Sequence, residues 1–129
     1  MDNAILLSGG QTAAAGIAAG STVRIEAIDA LATVPDGSVA VTRTIPPEFA
    51  AAVNRLHAVV AESGSPAGHF ASVAREFGIP TIVNVPDAMT VLPEGIAVTV
   101  NAENRTVYQG VVKSMVDSPC ARRNRLVDS

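Results

Sequence analysis

Three short apolar runs, separated by segments of helical periodicity, dominate the middle of the chain. The runs are Ser38–Thr42, His57–Ala61 and Thr81–Val85. Continuous apolar runs of this length are typical of strands that are buried on both faces of a parallel sheet. Upstream, Ser21–Ile28 alternates apolar Val23 and Ile25 with the polar residues Arg24 and Glu26, which predicts a half-buried strand.

The two segments between these runs have the periodicity of amphipathic helices. Their apolar faces are formed by Phe49, Val53 and Leu56 in the first segment, and by Phe70, Val73, Ala74 and Phe77 in the second. Proline is tolerated at the first helical position, so Pro46-Pro47 can begin the first helix. Gly78 is suited to cap the second helix, and Pro80 stops its continuation. We therefore expect the second helix to cover Phe70–Phe77.

The order strand, helix, strand, helix, strand predicts an α/β domain with a parallel β-α-β core. Ile96–Val100 and Thr106–Tyr108 predict a C-terminal hairpin, and Pro86–Leu92 predicts a helical turn. The Gly- and Ala-rich segment Leu7–Gly20 is interpreted as a loop that leads into the first strand. We place the domain at residues 5–113 and expect residues 114–129, which are polar and aperiodic, to form a tail or linker.

Composition excludes several classes of function. Aromatic residues make up 3% of the chain and the formal net charge is −3, so neither stacking platforms nor a basic field for nucleic acid is expected. The uncharged segment Asn3–Val23 is too rich in Gly and polar residues for a membrane span. Cys120 is the single cysteine, and no signal peptide precedes the apolar residues, which favours the reducing cytoplasm.

Most local motifs of enzymes are absent from the sequence. There is no phosphate-binding P-loop and no dinucleotide-binding Gly-x-Gly-x-x-Gly after a strand. Gly64–Gly68 has Pro66 where a nucleophile elbow would have serine. The two histidines and the cysteine are too widely spaced to predict a metal site. We therefore expect no metal and no cofactor to be bound by this domain.

His69 remains as the candidate catalytic residue. It precedes the apolar face of the second helix, where free N–H groups and the helix dipole favour an anion. Gly64 and Gly68 would allow the backbone to approach a phosphoryl group, and Ser65 and Ser72 would add hydroxyl donors. This pattern is typical of a histidine that accepts a phosphoryl group, and the alternative is a histidine that only caps a turn.

The other histidine, His57, begins an apolar strand and has no flanking glycines in the sequence. We interpret it as a structural residue.

The stretch Val59–Val83 resembles the phosphohistidine, or swivelling, domain of the phosphoenolpyruvate-utilising enzymes. The resemblance rests on Gly64, His69, Ala71-Ser72 and the run Ala74–Pro80, which is Ala-Arg-Glu-Phe-Gly-Ile-Pro. Weaker similarity extends over Leu7–Gly110. The resemblance implies a swivelling β/β/α three-layer fold and a phosphohistidine at His69, formed on Nε2. It also implies that His69 receives its phosphate at an ATP-binding domain that uses Mg-ATP and passes it to an acceptor such as pyruvate.

The chain departs from the family pattern at several positions. Ala67 stands where many members have a threonine, which in some members is the target of a regulatory kinase, and Ala14-Ala15 replaces Ser-Pro in the entry loop. The chain contains neither an ATP-grasp domain nor an acceptor-binding barrel. We therefore expect both to be partners, in the same or another chain, and the domain to be inactive in isolation as part of a pyruvate, water dikinase-like enzyme.

Two other readings stay open at this point. The first is a non-catalytic docking or anion-binding module on the same fold. The second is a component of an unrelated swivelling-fold enzyme such as a hydro-lyase.

Overall fold

The computed structural model describes residues 5–26, 29, 33–64 and 68–110. Its elements are β1 Ile5–Ser8, β2 Gln11–Ala14, β3 Ile17–Ile25, β4 Ser38–Thr42, a 3₁₀ helix Pro47–Arg55, β5 Leu56–Ala61, α1 His69–Phe77, β6 Thr81–Val83, α2 Ala88–Val91, β7 Ala97–Asn101 and β8 Thr106–Gln109. This mixture of strands and helices confirms the predicted α/β class. The predicted tail, residues 114–129, lies outside the described residues.

Within the described ranges, eight strands form one mixed sheet in the order β1-β8-β7-β3-β4-β5-β6-β2. Strands β3, β4, β5 and β6 are parallel neighbours, which confirms the predicted parallel core. Strands β7 and β8 form the predicted antiparallel C-terminal hairpin. The parallel strands all end at one edge of the sheet, so the segments that follow β4, β5 and β6 lie close together.

The sheet folds back on itself. Strands β1 and β2 stand at opposite ends of the strand order, yet only Gly9 and Gly10 separate Ser8 from Gln11 in the chain. Three extended residues span at most about 11 Å, so the two ends of the sheet must lie beside each other. Strand β1 therefore remains paired with β8, while β2 reaches β6 and pairs with it in antiparallel fashion.

Successive residues of β4 and β5 contribute to two different cores. Ala40 and Val59 pack with the 3₁₀ helix and α1, through a cluster that includes Phe49 and Phe70. Their neighbours point to the other face and pack against β7, β8 and α2, in a cluster that contains Val39, Val41, Ala58, Val60, Val98, Val100 and Val107. Both faces of the parallel strands are therefore covered, as their continuous apolar sequences predict.

The N-terminal segment differs from the prediction. Leu7–Gly20 is not a loop, because it contains the end of β1, all of β2 and the start of β3. Ala and Gly have low strand propensity, so the local sequence carries little signal. These strands form through backbone pairing with distant partners: β2 pairs with β6, and β3 pairs with β7 from Ile17 onward.

The helices agree with the prediction in position. The first is a 3₁₀ helix with proline in its first turn, and it buries Phe49, Ala52 and Val53. Helix α1 ends at Gly78, whose φ of 70° is the left-handed conformation that favours glycine as a cap. The predicted turn at 86–92 contains α2. None of the helices in the described ranges has the length and apolarity needed to cross a membrane.

Candidate functional site

His69 is the first residue of α1 and its side chain is exposed. The preceding Gly68 is the N-cap residue, with extended backbone angles of φ −75° and ψ 177°, and as a glycine it has no side chain that could cap the helix. The first turn also contains no acidic residue. Because the N–H groups of a first turn have no partner within the helix, this end of α1 presents donors and a partial positive charge beside the imidazole.

The helix that carries His69 is firmly held. Phe70, Ala71 and Ala74 are buried along its inner face. Phe70 contacts Phe49 of the 3₁₀ helix edge to face, and Ala71 packs in a small cluster with Ala13 of β2 and Val83 of β6. The backbone of His69 is thus fixed by its buried neighbours, while its ring remains accessible to solvent.

A cavity of about 220 Å³ lies beside His69. Gly64, Gly68 and Phe70 line it together with Ile45 and Pro46 from the segment that follows β4. Because Ile45 and Pro46 follow β4 and Gly64 follows β5, the cavity lies beside the carboxyl ends of these strands, the position at which open α/β sheets bind ligands. His69 therefore borders a small, largely apolar space rather than a flat surface.

The structure brings together some of the predicted phosphate-binding residues. Gly64 and Gly68 line the same cavity as His69. Ser72 lies one turn further along α1, is exposed, and accepts a hydrogen bond from Arg75 Nη2 at 3.4 Å, but it does not line this cavity. Ser65 lies outside the described residues.

Gly64 is packed closely against β6. A Cβ atom at this position would lie 3.2 Å from Val83 Cγ1, so a side chain would push against the strand. From the sequence, Gly64 was expected to allow close approach of a phosphoryl group, and in the structure it also lies close to Val83.

Two polar contacts near the site were not predicted. The Gly64 N–H donates to Asn84 Oδ1 at 3.1 Å, and Asn84 Nδ2 donates to Gln11 Oε1 at 2.6 Å. Asn84 directly follows β6, and Gly64 follows the parallel strand β5 after two further residues. The sequence predicted that β5 and β6 are parallel, and the residues that follow parallel neighbours lie close together. This expected proximity of Asn84 to the residues after β5 is the signal that could have identified it.

Arg75 is a second residue that the sequence analysis left without a role. Its Nη1 donates to the carbonyl of Ala13 at 2.8 Å, which connects α1 to β2. The run Ala-Arg-Glu of α1 therefore contributes a fixed contact between the His69 helix and the edge strand of the sheet.

His57 lies at the amino end of β5, away from the edge that carries His69. Its ring is exposed, and Nδ1 donates to the carbonyl of Ala19 at 2.8 Å. A Cβ atom on Gly37 would lie 3.4 Å from His57 Cε1, so the ring covers that glycine. These contacts are those of a residue that joins β5 to the neighbouring turn and to β3, in keeping with the structural role expected for it.

No group of three or more His, Cys, Asp or Glu side chains is placed to hold a metal ion in the ranges that the structure describes.

Comparison with known proteins identifies the family. The model of the PEP-utilising enzyme mobile domain matches residues 34–105. Phosphoenolpyruvate synthase from Pyrococcus furiosus is 35% identical over 116 residues, which are 90% of this chain and 14% of that protein. The probable phosphoenolpyruvate synthase of Archaeoglobus fulgidus is 34% identical over 84% of this chain and 14% of that protein. The chain thus spans about one seventh of the length of these relatives.

Solved structures share the fold at low sequence identity. Holo aconitase X from Thermococcus kodakaraensis superposes with a TM-score of 0.59 at 15% identity, over 80% of this chain and 96% of that one. An Enzyme I structure determined by NMR superposes with a TM-score of 0.57 at 18% identity, over 77% of this chain and 40% of that one. These likenesses concern the fold alone. The family match, by contrast, extends from Val34 through α1 and the His69 motif to Arg105. This chain therefore belongs to the mobile domains of the PEP-utilising enzymes.

Proposed function

We propose that this chain is a phosphoryl-carrier domain in which His69 is the residue that is phosphorylated. The observation that carries the proposal is the position of His69 in a member of this family: an exposed imidazole at the N-terminus of α1, where the N-cap residue is a glycine, beside a cavity of about 220 Å³. A phosphoryl group on the ring would meet the N–H donors of the first turn, which favour a dianion.

The proposed chemistry is a transfer between oxygen and nitrogen. An unprotonated nitrogen of His69, Nε2 in this proposal, supplies the electron pair for a new N–P bond. The P–O bond to the donor nucleotide breaks, and its electron pair stays on the departing oxygen. In the second transfer the N–P bond breaks and an oxygen of the acceptor takes the phosphoryl group. The residues proposed to surround the phosphoryl oxygens are Gly64, Gly68, Ser65 and Ser72.

The proposed partners follow from the relatives. Phosphoenolpyruvate synthases are about seven times longer than the segment that matches this chain, so other parts of such an enzyme are proposed to supply the ATP-binding and acceptor sites. Mg-ATP is then bound by an ATP-grasp partner domain, and pyruvate is the proposed acceptor. The domain carries no nucleotide site of its own in this proposal and is inactive alone.

We also propose that the domain, residues 5–113, is a swivelling three-layer β/β/α unit. What supports the layering is the pair of cores on the two faces of β4 and β5, one shared with the helices and one shared with β7 and β8. A small rigid unit with His69 on its surface can present that residue to two sites in turn.

The experiment is a phosphorylation assay with a matched pair of histidine variants. The chain is incubated with its cognate ATP-binding domain, shown beforehand to turn over ATP, and with Mg-ATP, and its intact mass is measured. Wild type and His57→Ala should each gain one acid-labile phosphoryl group, whereas His69→Ala should gain none.

The comparison of the two histidines separates the possible results. His57 is exposed like His69 but lies at the opposite end of the parallel strands, so it controls for non-specific labelling of histidine. Labelling of His69→Ala at the wild-type rate would overturn the proposal. Absence of labelling in wild type with an active donor would instead favour a domain that docks or binds anions without carrying phosphate.

A further inference from the structure

The segment that leads from β5 toward His69 is anchored by three successive backbone amides. Glu62 N–H donates to the carbonyl of Thr42 at 2.9 Å, and Ser63 N–H donates to the carbonyl of Arg43 at 2.8 Å. The third amide, Gly64 N–H, donates to a side chain, Asn84 Oδ1, at 3.1 Å. Of these three anchors, the one at Gly64 can therefore be removed by a side-chain substitution at another residue.

Asn84 is itself held on both sides. Val83 pairs with Gln11 across β6 and β2, and the N–H of Val85 donates to the carbonyl of Ala61 at 3.0 Å. Asn84 has a φ of 58°, a left-handed conformation that asparagine adopts more readily than most residues. The backbone of Asn84 is thus held in place at the carboxyl edge of the sheet.

The amide group of Asn84 is also fixed in rotation. Its Nδ2 donates to Gln11 Oε1 at 2.6 Å, while its Oδ1 accepts from Gly64. With one bond on each side, the side chain connects three parts of the fold: strand β2, the end of β6 and Gly64, which follows β5. The Arg75 contact to Ala13 connects the same strand β2 to α1, the helix that begins with His69.

We propose that Asn84 is a positioning residue for phosphoryl transfer at His69, acting with Gln11 through the backbone of Gly64. This inference rests on the proposed function. In-line transfer between two domains requires the nucleophilic nitrogen to be held close to its reactive position, and small displacements reduce the rate strongly. Gly64 and α1 are both tied to β2, Gly64 through Asn84 and Gln11, and α1 through Arg75.

The test compares two donors on the same variants. Asn84→Gly tolerates the left-handed backbone and removes both side-chain hydrogen bonds, and Gln11→Ala removes only the outer one. With the cognate ATP-binding domain and Mg-ATP, we expect the limiting rate of His69 phosphorylation to fall about tenfold in Asn84→Gly and less in Gln11→Ala. With phosphoramidate, a small donor that needs no docking, the rate at His69 should stay within about twofold of wild type.

Three controls exclude a merely structural effect. Arg105→Gly replaces another residue of positive φ, 55°, in the turn between β7 and β8, and should leave both rates unchanged. Gln11→Glu keeps an acceptor for Asn84 Nδ2 and should restore the rate lost in Gln11→Ala. Amide hydrogen exchange at Gly64 should accelerate in Asn84→Gly, while the variant remains folded at the assay temperature and the donor concentration at half-maximal rate stays unchanged.

The outcomes are distinct for the two proposals. A wild-type rate with the domain donor in Asn84→Gly would overturn the positioning role and leave the carrier function standing. An equal fall with both donors would also overturn it, because it would indicate general loosening of the fold. Failure of wild-type His69 to label with an active donor would refute the carrier function, and the positioning role with it.

Discussion

Phe49 and Phe70 contact each other edge to face, with ring centroids 5.8 Å apart and an interplanar angle of 85°. Phe49 lies in the 3₁₀ helix and is fully buried, and Phe70 directly follows His69 in α1. The contact therefore joins the two helical elements on one face of the sheet and fixes the backbone next to the candidate nucleophile. Aromatic pairs of this geometry are favourable beyond the apolar area that they bury.

Phe70→Ala should lower the free energy of unfolding by about 3–5 kcal/mol, because it removes a buried ring and leaves a cavity beside Phe49. Urea denaturation followed by circular dichroism measures this loss. Phe77→Ala is the control on the same helix: Phe77 is 42% exposed, so the loss should be only about 1–2 kcal/mol. Equal losses for the two variants would contradict the assigned packing of α1.

Gly10→Ala should be far more destabilising than Gly9→Ala. Both glycines have positive φ, 87° and 108°, so both substitutions introduce backbone strain of about 1–2 kcal/mol. A Cβ at Gly10 would in addition lie 2.6 Å from the carbonyl oxygen of Val83, whereas a Cβ at Gly9 meets nothing within 4 Å. The difference between the melting temperatures of the two variants measures the effect of the steric clash at Gly10.

If Gly10→Ala melted at the same temperature as Gly9→Ala, the close approach of the β1–β2 connection to the end of β6 would be wrong. That approach is what the folded-back sheet requires.

Arg75→Ala should reduce the free energy of unfolding by about 1 kcal/mol, through loss of the hydrogen bond to the Ala13 carbonyl that connects α1 to β2. Arg75→Lys keeps one donor and should recover part of the loss. Glu76→Ala, at the exposed neighbouring position, is the control and should change stability little. Urea titrations of the three variants measure these differences, and equal effects at positions 75 and 76 would count against the contact.

Ser72→Ala should slow phosphorylation of His69 about threefold, because the proposed phosphate site loses one hydroxyl donor. The side chain is exposed, so the melting temperature should not change. Ser72→Thr retains the hydroxyl and should keep the wild-type rate. Initial rates with the ATP-binding domain and Mg-ATP provide the measurement, and an unchanged rate in Ser72→Ala would remove Ser72 from the phosphate site.

Much of the fold was predictable wherever the local pattern was strong. The apolar runs at β4, β5 and β6 were assigned correctly because strands buried on both faces need apolar residues at every position. Helix α1 was located to within one residue, since its buried face follows helical periodicity and Gly78 ends it. The strands within 7–20 were missed because Ala and Gly carry little strand signal, and distant backbone partners stabilise those strands.

The residues of the candidate site were likewise predictable only where the local sequence pattern was strong. His69, Gly64 and Gly68 were identified from the sequence because a glycine-framed histidine before a helix is a local feature. Asn84, Gln11 and Arg75 were not assigned roles, because each acts on a segment 20 or more residues away: Gly64, Asn84 and Ala13 respectively. Hydrogen bonds of this kind depend on which strand ends meet at a sheet edge, and no local pattern encodes them.

By itself the sequence determined the element types, the parallel core and the position of His69 at the start of α1, because propensity, apolar periodicity and turn residues act over a few neighbouring residues. Only the tertiary structure decided that the sheet folds back to bring β2 beside β6, and that Asn84 holds Gly64 at the edge where His69 lies. These features arise from pairing and packing between segments far apart in the chain, whose free energy is gained only when the whole domain assembles.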